Sequence, residues 1–158
     1  MLQAASIMTR NVITARPGDT VSHVARILSE NNISALPVCA ADGSVLGMVS
    51  ESDLMRLYVA GNVERRARWL TMLAEGSHLA PEFVDYVRLD RQNVSDLMTT
   101  PVISGDERTS VTELAALMAQ NHIKRVPILR DGKLVGIVSR ADVIRAIGRS
   151  PDAIVAAE

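Results

Sequence analysis

Shifted against itself by 90 residues, the sequence returns much of its own pattern. Met8-Thr9 falls on Met98-Thr99, Val12-Ile13 on Val102-Ile103, Val21 on Val111, Ala25 on Ala115, Asn31 on Asn121, Ile33 on Ile123 and Pro37 on Pro127. One residue dropped near Ala41 brings a shift of 89, under which Asp42-Gly43 meets Asp131-Gly132. Gly47 then meets Gly136, Val49-Ser50 meets Val138-Ser139, Asp53 meets Asp142 and Arg56 meets Arg145. A chain built this way folds as two similar units of roughly 50 residues each. The stretch from Leu57 to Val94 has no counterpart, so the expected organisation is 1–56, an insert over 57–94, 95–150 and a tail over 151–158.

The 158 residues carry 17 basic and 18 acidic side chains for a net charge of -1, which argues against a binder of nucleic acid that relies on a basic surface. The longest apolar run, Leu114 to Ala119, is too short for a membrane span, and Met1 to Arg10 does not read as a signal peptide. A lone cysteine, Cys39, in an apolar stretch suits a reducing cytoplasm and reads as a small buried hydrophobe. With 47% hydrophobic but 3% aromatic residues, the core must be aliphatic.

Each repeat reads β-α-β-β-α. Val12-Ile13-Thr14 and Val102-Ile103-Ser104 are short β-branched runs that predict opening strands. Val21, Val24, Ala25 and Leu28 then share one helical stripe, as do Val111, Leu114, Ala115 and Met118. Ser110 with Glu113 predicts a capping box, while Thr20 caps alone because His23 offers no carboxylate. Ala35 to Cys39 and Val126 to Leu129 are strands whose prolines suggest an edge or a strand start. Asp131-Gly132 is a two-residue hairpin turn, and Asp42-Gly43 is the same turn with a longer lead-in. Return strands follow over Val45 to Ser50 and Leu134 to Ser139, and closing helices begin near Glu51 and Arg140.

Three segments in each copy carry a resemblance to a known family. They are Met8-Thr9, Asn32 to Val38 and Gly47 to Asp53 in the first, and Met98-Thr99, His122 to Ile128 and Gly136 to Asp142 in the second. The chain resembles a tandem pair of cystathionine-β-synthase-type (CBS) domains, a Bateman module. The resemblance implies a mixed α/β (α+β) fold of two CBS repeats packed with pseudo-twofold symmetry and a helical insert between them. It also implies clefts between the domains that take adenine nucleotides or related adenosyl ligands. In the insert, Asn62 to Leu73 reads as a helix with Val63, Trp69, Leu70 and Leu73 on its apolar side and Glu64, Arg65, Arg66 and Arg68 on its wet side. Pro81 opens a second helix with Phe83, Val84 and Val87 as candidate buried positions. The insert reads first as a packing or dimer element and second as an arginine-rich partner surface.

Ser50-x-x-Asp53 and Ser139-x-x-Asp142 admit two readings. A Ser followed three residues later by an acid at a helix start is a capping box, and the acid also suits the helix dipole. The same carboxylate can accept two hydrogen bonds from a ribose diol, with the helix N-terminus attracting phosphate. The resemblance assigns ribose contact to Asp53 and Asp142, with Ser50 and Ser139 near the ligand. Lys124 and Arg125 precede Val126-Pro127 where the first copy has Ser34 and Ala35. By the family pattern, Lys124 and Arg125 serve the cleft of Asp53, while Ser34 faces the cleft of Asp142. His122 is an additional contact or a helix-end surface residue, and Thr14 and Ser104 complete the candidate ligand-binding set.

No nucleophile, metal-ligand, Walker A or Gly-x-Gly-x-x-Gly pattern is present, so catalysis is not expected and no cofactor is obligatory. The expected function is a stand-alone regulatory module that senses AMP, ADP, ATP or a related adenosyl ligand and signals to an effector protein in trans, with no nucleic-acid or membrane partner. The competing reading is a constitutive assembly module with empty or vestigial clefts. A homodimer is expected through Leu54, Leu57 and Tyr58 on one closing helix and Val143, Ile144 and Ile147 on the other.

Overall fold

The computed structural model describes residues 1–57, 59 and 92–155, so the expected helices of the insert, and Tyr58, lie outside the described residues. In chain order the elements are α1 (Ala4–Ile7), α2 (Val21–Asn31), β1 (Ala35–Cys39), β2 (Val45–Ser50) and a helix α3 over 51–57. They continue with a 3-10 turn (Val94–Asp96), β3 (Gly105–Asp106), α4 (Val111–Asn121), β4 (Arg125–Arg130), β5 (Lys133–Ser139), α5 (Arg140–Arg149) and α6 (Pro151–Val155). β1 pairs with β2, and β3-β4-β5 form a three-stranded sheet. The chain divides into two compact units that cut across the repeat boundaries. One holds residues 1–14, 39–46 and 101–158; the other holds residues 15–38 and 47–100.

The unit around residues 15–38 and 47–100 is built on α2. Thr20 Oγ1 accepts from the His23 amide at 3.2 Å, satisfying one of the unpaired donors of the first turn. Val21, Val24 and Leu28 are buried with Leu36, Val38, Val49 and Leu54, and the expected stripe is the core face. Val94 joins this core at full burial, with Leu97 and Met98 packed against it. The segment is tied in by Val94 N–H to the Asp19 carbonyl at 2.8 Å and by Val21 N–H to the Gln92 carbonyl at 2.8 Å.

The other unit repeats the plan with more sheet. α4 carries the full capping box of Ser110 and Glu113, and Val111, Leu114 and Met118 are its buried face. β4 and β5 run antiparallel from Arg125↔Ser139 to Arg130↔Lys133. The turn residues Asp131 and Gly132 have φ of 51° and 77°, as a hairpin of this length requires. The longer first hairpin closes with the Asp42 carboxylate accepting from Ser44 N–H at 3.0 Å and its hydroxyl at 2.6 Å, which holds the Asp42 carboxyl below the usual range. α1 enters this core through Ala4, fully buried with Val111, Val143 and Ala146. Cys39 is buried, and burial pushes its thiol pKa up, in keeping with a hydrophobic role.

Three expectations change. Val12–Thr14 and Val102–Ser104 are not strands. In their place a single parallel bridge forms at Ala15↔Val38, and β3 pairs only Gly105 and Asp106 with Ile128 and Leu129. Side chains cut both short, because Asp19 accepts from Arg16 N–H at 2.8 Å and Thr109 Oγ1 accepts from Asp106 N–H at 2.9 Å, each turning the backbone out of the ladder. Pro127 lies inside the central strand β4 rather than at an edge or strand start, and it is tolerated because the pairing with β3 begins only at Ile128. Finally, Leu54 and Val143 point into the two cores, so of the faces expected to be free for a partner, Ile144 and Ile147 remain exposed, together with Met55.

The two Met-Thr segments finish the sheets. Thr99 and Met48 exchange backbone hydrogen bonds of 2.7 and 3.1 Å, and Thr9 and Ile137 exchange bonds of 2.9 and 3.0 Å. In each case the preceding methionine lies flat on a glycine: Met98 on Gly47 and Met8 on Gly136. A Cβ on Gly47 would stand 2.6 Å from Met98 Sδ and 2.7 Å from its Cγ. Gly47→Ala is therefore expected to destabilise the protein by about 1–3 kcal/mol through overpacking, with part of that loss recovered in a Met98→Ala background. Urea unfolding of the four proteins of the cycle measures this; strictly additive losses would place the strain elsewhere.

Candidate functional site

The return strand β2 ends at Ser50, where the chain turns into α3. Ser50 N–H donates to Asp53 Oδ2 at 2.8 Å, its hydroxyl donates to the same oxygen at 3.0 Å, and Asp53 N–H donates back to Ser50 Oγ at 3.3 Å. This is a reciprocal cap of the helix start. The other oxygen, Oδ1, takes the Arg56 guanidinium and, at 3.4 Å, the Thr99 hydroxyl. Asp53 is thereby the one buried carboxylate among the described residues. Its charge is balanced by Arg56 and supported by the helix N-terminus.

The second repeat builds the same arrangement. Ser139 N–H and hydroxyl reach Asp142 Oδ2 at 2.8 and 2.9 Å, Asp142 N–H returns to Ser139 Oγ at 3.2 Å, and Arg145 Nη1 reaches Oδ1 at 3.1 Å. No hydroxyl corresponding to Thr99 reaches Asp142 among the described residues, and its side chain is 13% exposed against 5% for Asp53.

The remaining sequence candidates sit around these two helix starts. The Ser34 carbonyl accepts from Glu51 N–H at 2.8 Å, beside the Asp53 cap, and the Lys124 carbonyl accepts from Arg140 N–H at 2.9 Å, beside the Asp142 cap. Arg125 stands opposite Ser139 in the β4–β5 register. His122 is the exposed C-cap of α4 in the left-handed region at φ 53°, the place that Asn32 takes at φ 51° in the first repeat. Thr14 is exposed and Ser104 half-buried, each just ahead of the residue where parallel pairing begins. Sequence reasoning gave no role to Arg56, Arg145 or Thr99. Their signal was present, since Arg56 and Arg145 recur three residues after each Asp, the spacing at which helical side chains meet.

Residues 4–60 and 94–149 match the CBS domain. The chain belongs to the CBS-domain family. It is 31% identical over 149 residues to protein MJ1426 of Methanocaldococcus jannaschii, covering 89% of this chain and 88% of that protein. CBSX1, a chloroplastic CBS-domain protein of Arabidopsis thaliana, is 31% identical over 150 residues, with 87% of this chain matching 61% of the relative's length. Among solved structures, CBSX2 in complex with AMP superposes with a TM-score of 0.72 at 24% identity, covering 96% of this chain and 99% of that one. The CBS domain pair of protein MJ0100, in complex with 5'-methylthioadenosine and S-adenosyl-L-methionine, gives 0.69 at 23% identity over 95% and 98% of the two chains. At these identities the structural matches establish the mixed α and β fold of CBS pairs.

The two caps differ in burial and in donor count, and their energetics should follow. Asp53→Ala leaves the Ser50 amide and the Thr99 hydroxyl without a partner and is expected to cost about 1–3 kcal/mol of stability. The equivalent Asp142→Ala should fall nearer an ordinary cap loss, about 0.5–2 kcal/mol. Thermal melts of both variants decide it; equal losses would mean that Thr99 and burial add nothing.

Proposed function

We propose that the chain is a regulatory module that binds an adenosyl ligand, an adenine nucleotide in the first instance, and signals to an effector protein in trans. One observation carries the reading: a buried carboxylate, Asp53, held in a fixed rotamer at a helix N-terminus, with the same device repeated at Asp142. A carboxylate held at a helix start suits a ribose diol, and the positive end of the helix dipole suits a phosphate. The AMP of CBSX2 and the adenosyl ligands of protein MJ0100 support that ligand class. In this reading Ser50 and Ser139 lie near ligand, and Lys124 and Arg125 supply phosphate contacts to the nucleotide whose ribose Asp53 holds. Ser34, with Thr14, Ser104 and His122, completes the set. A cytoplasmic, non-catalytic role and a homodimer belong to the same proposal; exposed Ile144, Ile147 and Met55 support the dimer.

A second reading has an observation of its own. Both carboxylates are satisfied within their own caps, as a purely structural Ser-x-x-Asp would be, and this favours a constitutive assembly module. Mass spectrometry of small molecules released from gently purified protein, followed by calorimetric titration, separates the two. Asp53→Ala is expected to lose about 1.5–3 kcal/mol of AMP affinity. Arg125→Ala should lose more affinity for AMP than for adenosine, because a phosphate loses a charge-assisted partner. Unchanged AMP affinity in Asp53→Ala retires the ribose role, and equal losses for the two ligands in Arg125→Ala remove the phosphate role. Sedimentation should show a dimer that Ile144→Glu weakens; a monomer across the micromolar range would reject that surface.

A further inference from the structure

The carboxylate proposed to hold ribose is already fully engaged. A carboxylate offers about four lone-pair positions. At Asp53, Oδ2 takes the Ser50 amide and hydroxyl, and Oδ1 takes the Arg56 guanidinium and the Thr99 hydroxyl. The Oδ2 partners belong to the helix cap and cannot leave without opening the first turn. A diol can therefore reach Asp53 only through Oδ1. There the partners are unequal: Thr99 is fixed by backbone pairing to Met48, whereas the Arg56 side chain is 74% exposed. The guanidinium, unlike the Thr99 hydroxyl, can withdraw to water, where its charge is solvated and screened by salt, so it is the group that yields. The second repeat has the same construction, with Arg145, 55% exposed, on Asp142 Oδ1.

We propose that Arg56 is a resident counter-ion that occupies the diol position of Asp53 in the unliganded protein and sets affinity by competing with the ligand, with Arg145 doing the same at Asp142. The inference rests on the ribose reading of Asp53. Binding then exchanges the guanidinium for one ribose hydroxyl on Oδ1, beside the retained Thr99 hydroxyl, and the apparent affinity is reduced by the fraction of time the ion pair is closed. The competition acts on the ribose end, so it is felt equally by a neutral nucleoside and by a nucleotide.

The test is calorimetric titration of adenosine and AMP into wild type, Arg56→Gln and Arg56→Lys. Arg56→Gln should bind adenosine about two- to sixfold more tightly than wild type, the factor expected when a competing ion pair with a solvent-exposed guanidinium is removed. Arg56→Lys should fall between. Wild-type affinity for adenosine, an uncharged ligand, should rise as salt is raised from low to physiological strength, while that of Arg56→Gln stays flat. A merely structural arginine would not produce that salt signature. Unchanged or weaker adenosine binding in Arg56→Gln overturns the counter-ion role while leaving the ribose reading intact. A selective loss of AMP affinity makes Arg56 a phosphate ligand instead and likewise overturns it. Failure of adenosine and AMP to bind either protein overturns the ribose reading itself, and the inference with it.

Discussion

The contact on which the described architecture turns is a methionine lying on a glycine. β2 and β5 each end with a glycine, an apolar pair and a serine that starts a helix, and each has one edge left open by the hairpin. A Met-Thr segment closes that edge with a pair of backbone hydrogen bonds and covers the glycine with the methionine side chain. Any side chain on the glycine would hold the segment off. In each case the segment comes from the other repeat: Met98-Thr99 closes β2 of the first, and Met8-Thr9 closes β5 of the second. Residues 1–56 alone would therefore lack Val94, Met98 and Thr99, which fill the core and complete the site around Asp53. The compact unit around α4, likewise, needs both Ala4 and Ala146. The two repeats are interlocked along the chain, and each unit is finished only when distant parts of the sequence meet.

That interlocking marks where the sequence was legible and where it was not. Apolar spacing states which face of a helix is buried, and both stripes, Val21-Val24-Leu28 and Val111-Leu114-Met118, are core faces. Turn chemistry states how a hairpin closes, and Asp131-Gly132 does so with two left-handed residues. Capping residues announce helix starts at Thr20, Ser110 and Ser139. All three are local signals. Periodicity does not say which core a face enters, so nothing within Met8-Thr9 points to Ile137. The opening strands failed for a related reason: β-branched runs propose a strand, but the turns made by Asp19 and Thr109 remove the partner after one or two residues.

At the candidate site, the cap and the proposed ligand role of Ser-x-x-Asp call on one geometry. The cap fixes the Asp rotamer through Oδ2, so a ligand meets a carboxylate that has already lost its side-chain freedom on folding. It leaves Oδ1 to the Arg56 guanidinium and the Thr99 hydroxyl. Arg56 keeps the buried charge paired, which matters because an unpaired carboxylate at this burial would be costly. On the proposed reading, stability and binding draw on different oxygens of the same group, and removing the whole carboxylate conflates them. Substitution at Arg56 acts on Oδ1 alone.

Recurrence across the repeat is consequently a poor guide to ligand contacts. Glycine, serine and aspartate recur at β2–α3 and β5–α5 because the edge closure and the cap need them, whatever either site binds. Information about function lies where the backbone is equivalent and the residues differ. Ser34 and Lys124 meet that condition: each carbonyl receives the first amide of the following closing helix, from Glu51 and Arg140 respectively. The backbone contact is the same in both copies, while the side chain at that position differs. One copy places a hydroxyl there and the other an ammonium, followed by an alanine and a guanidinium. On the proposed reading, two sites of unequal affinity for an anionic ligand account for this difference in charge between the copies.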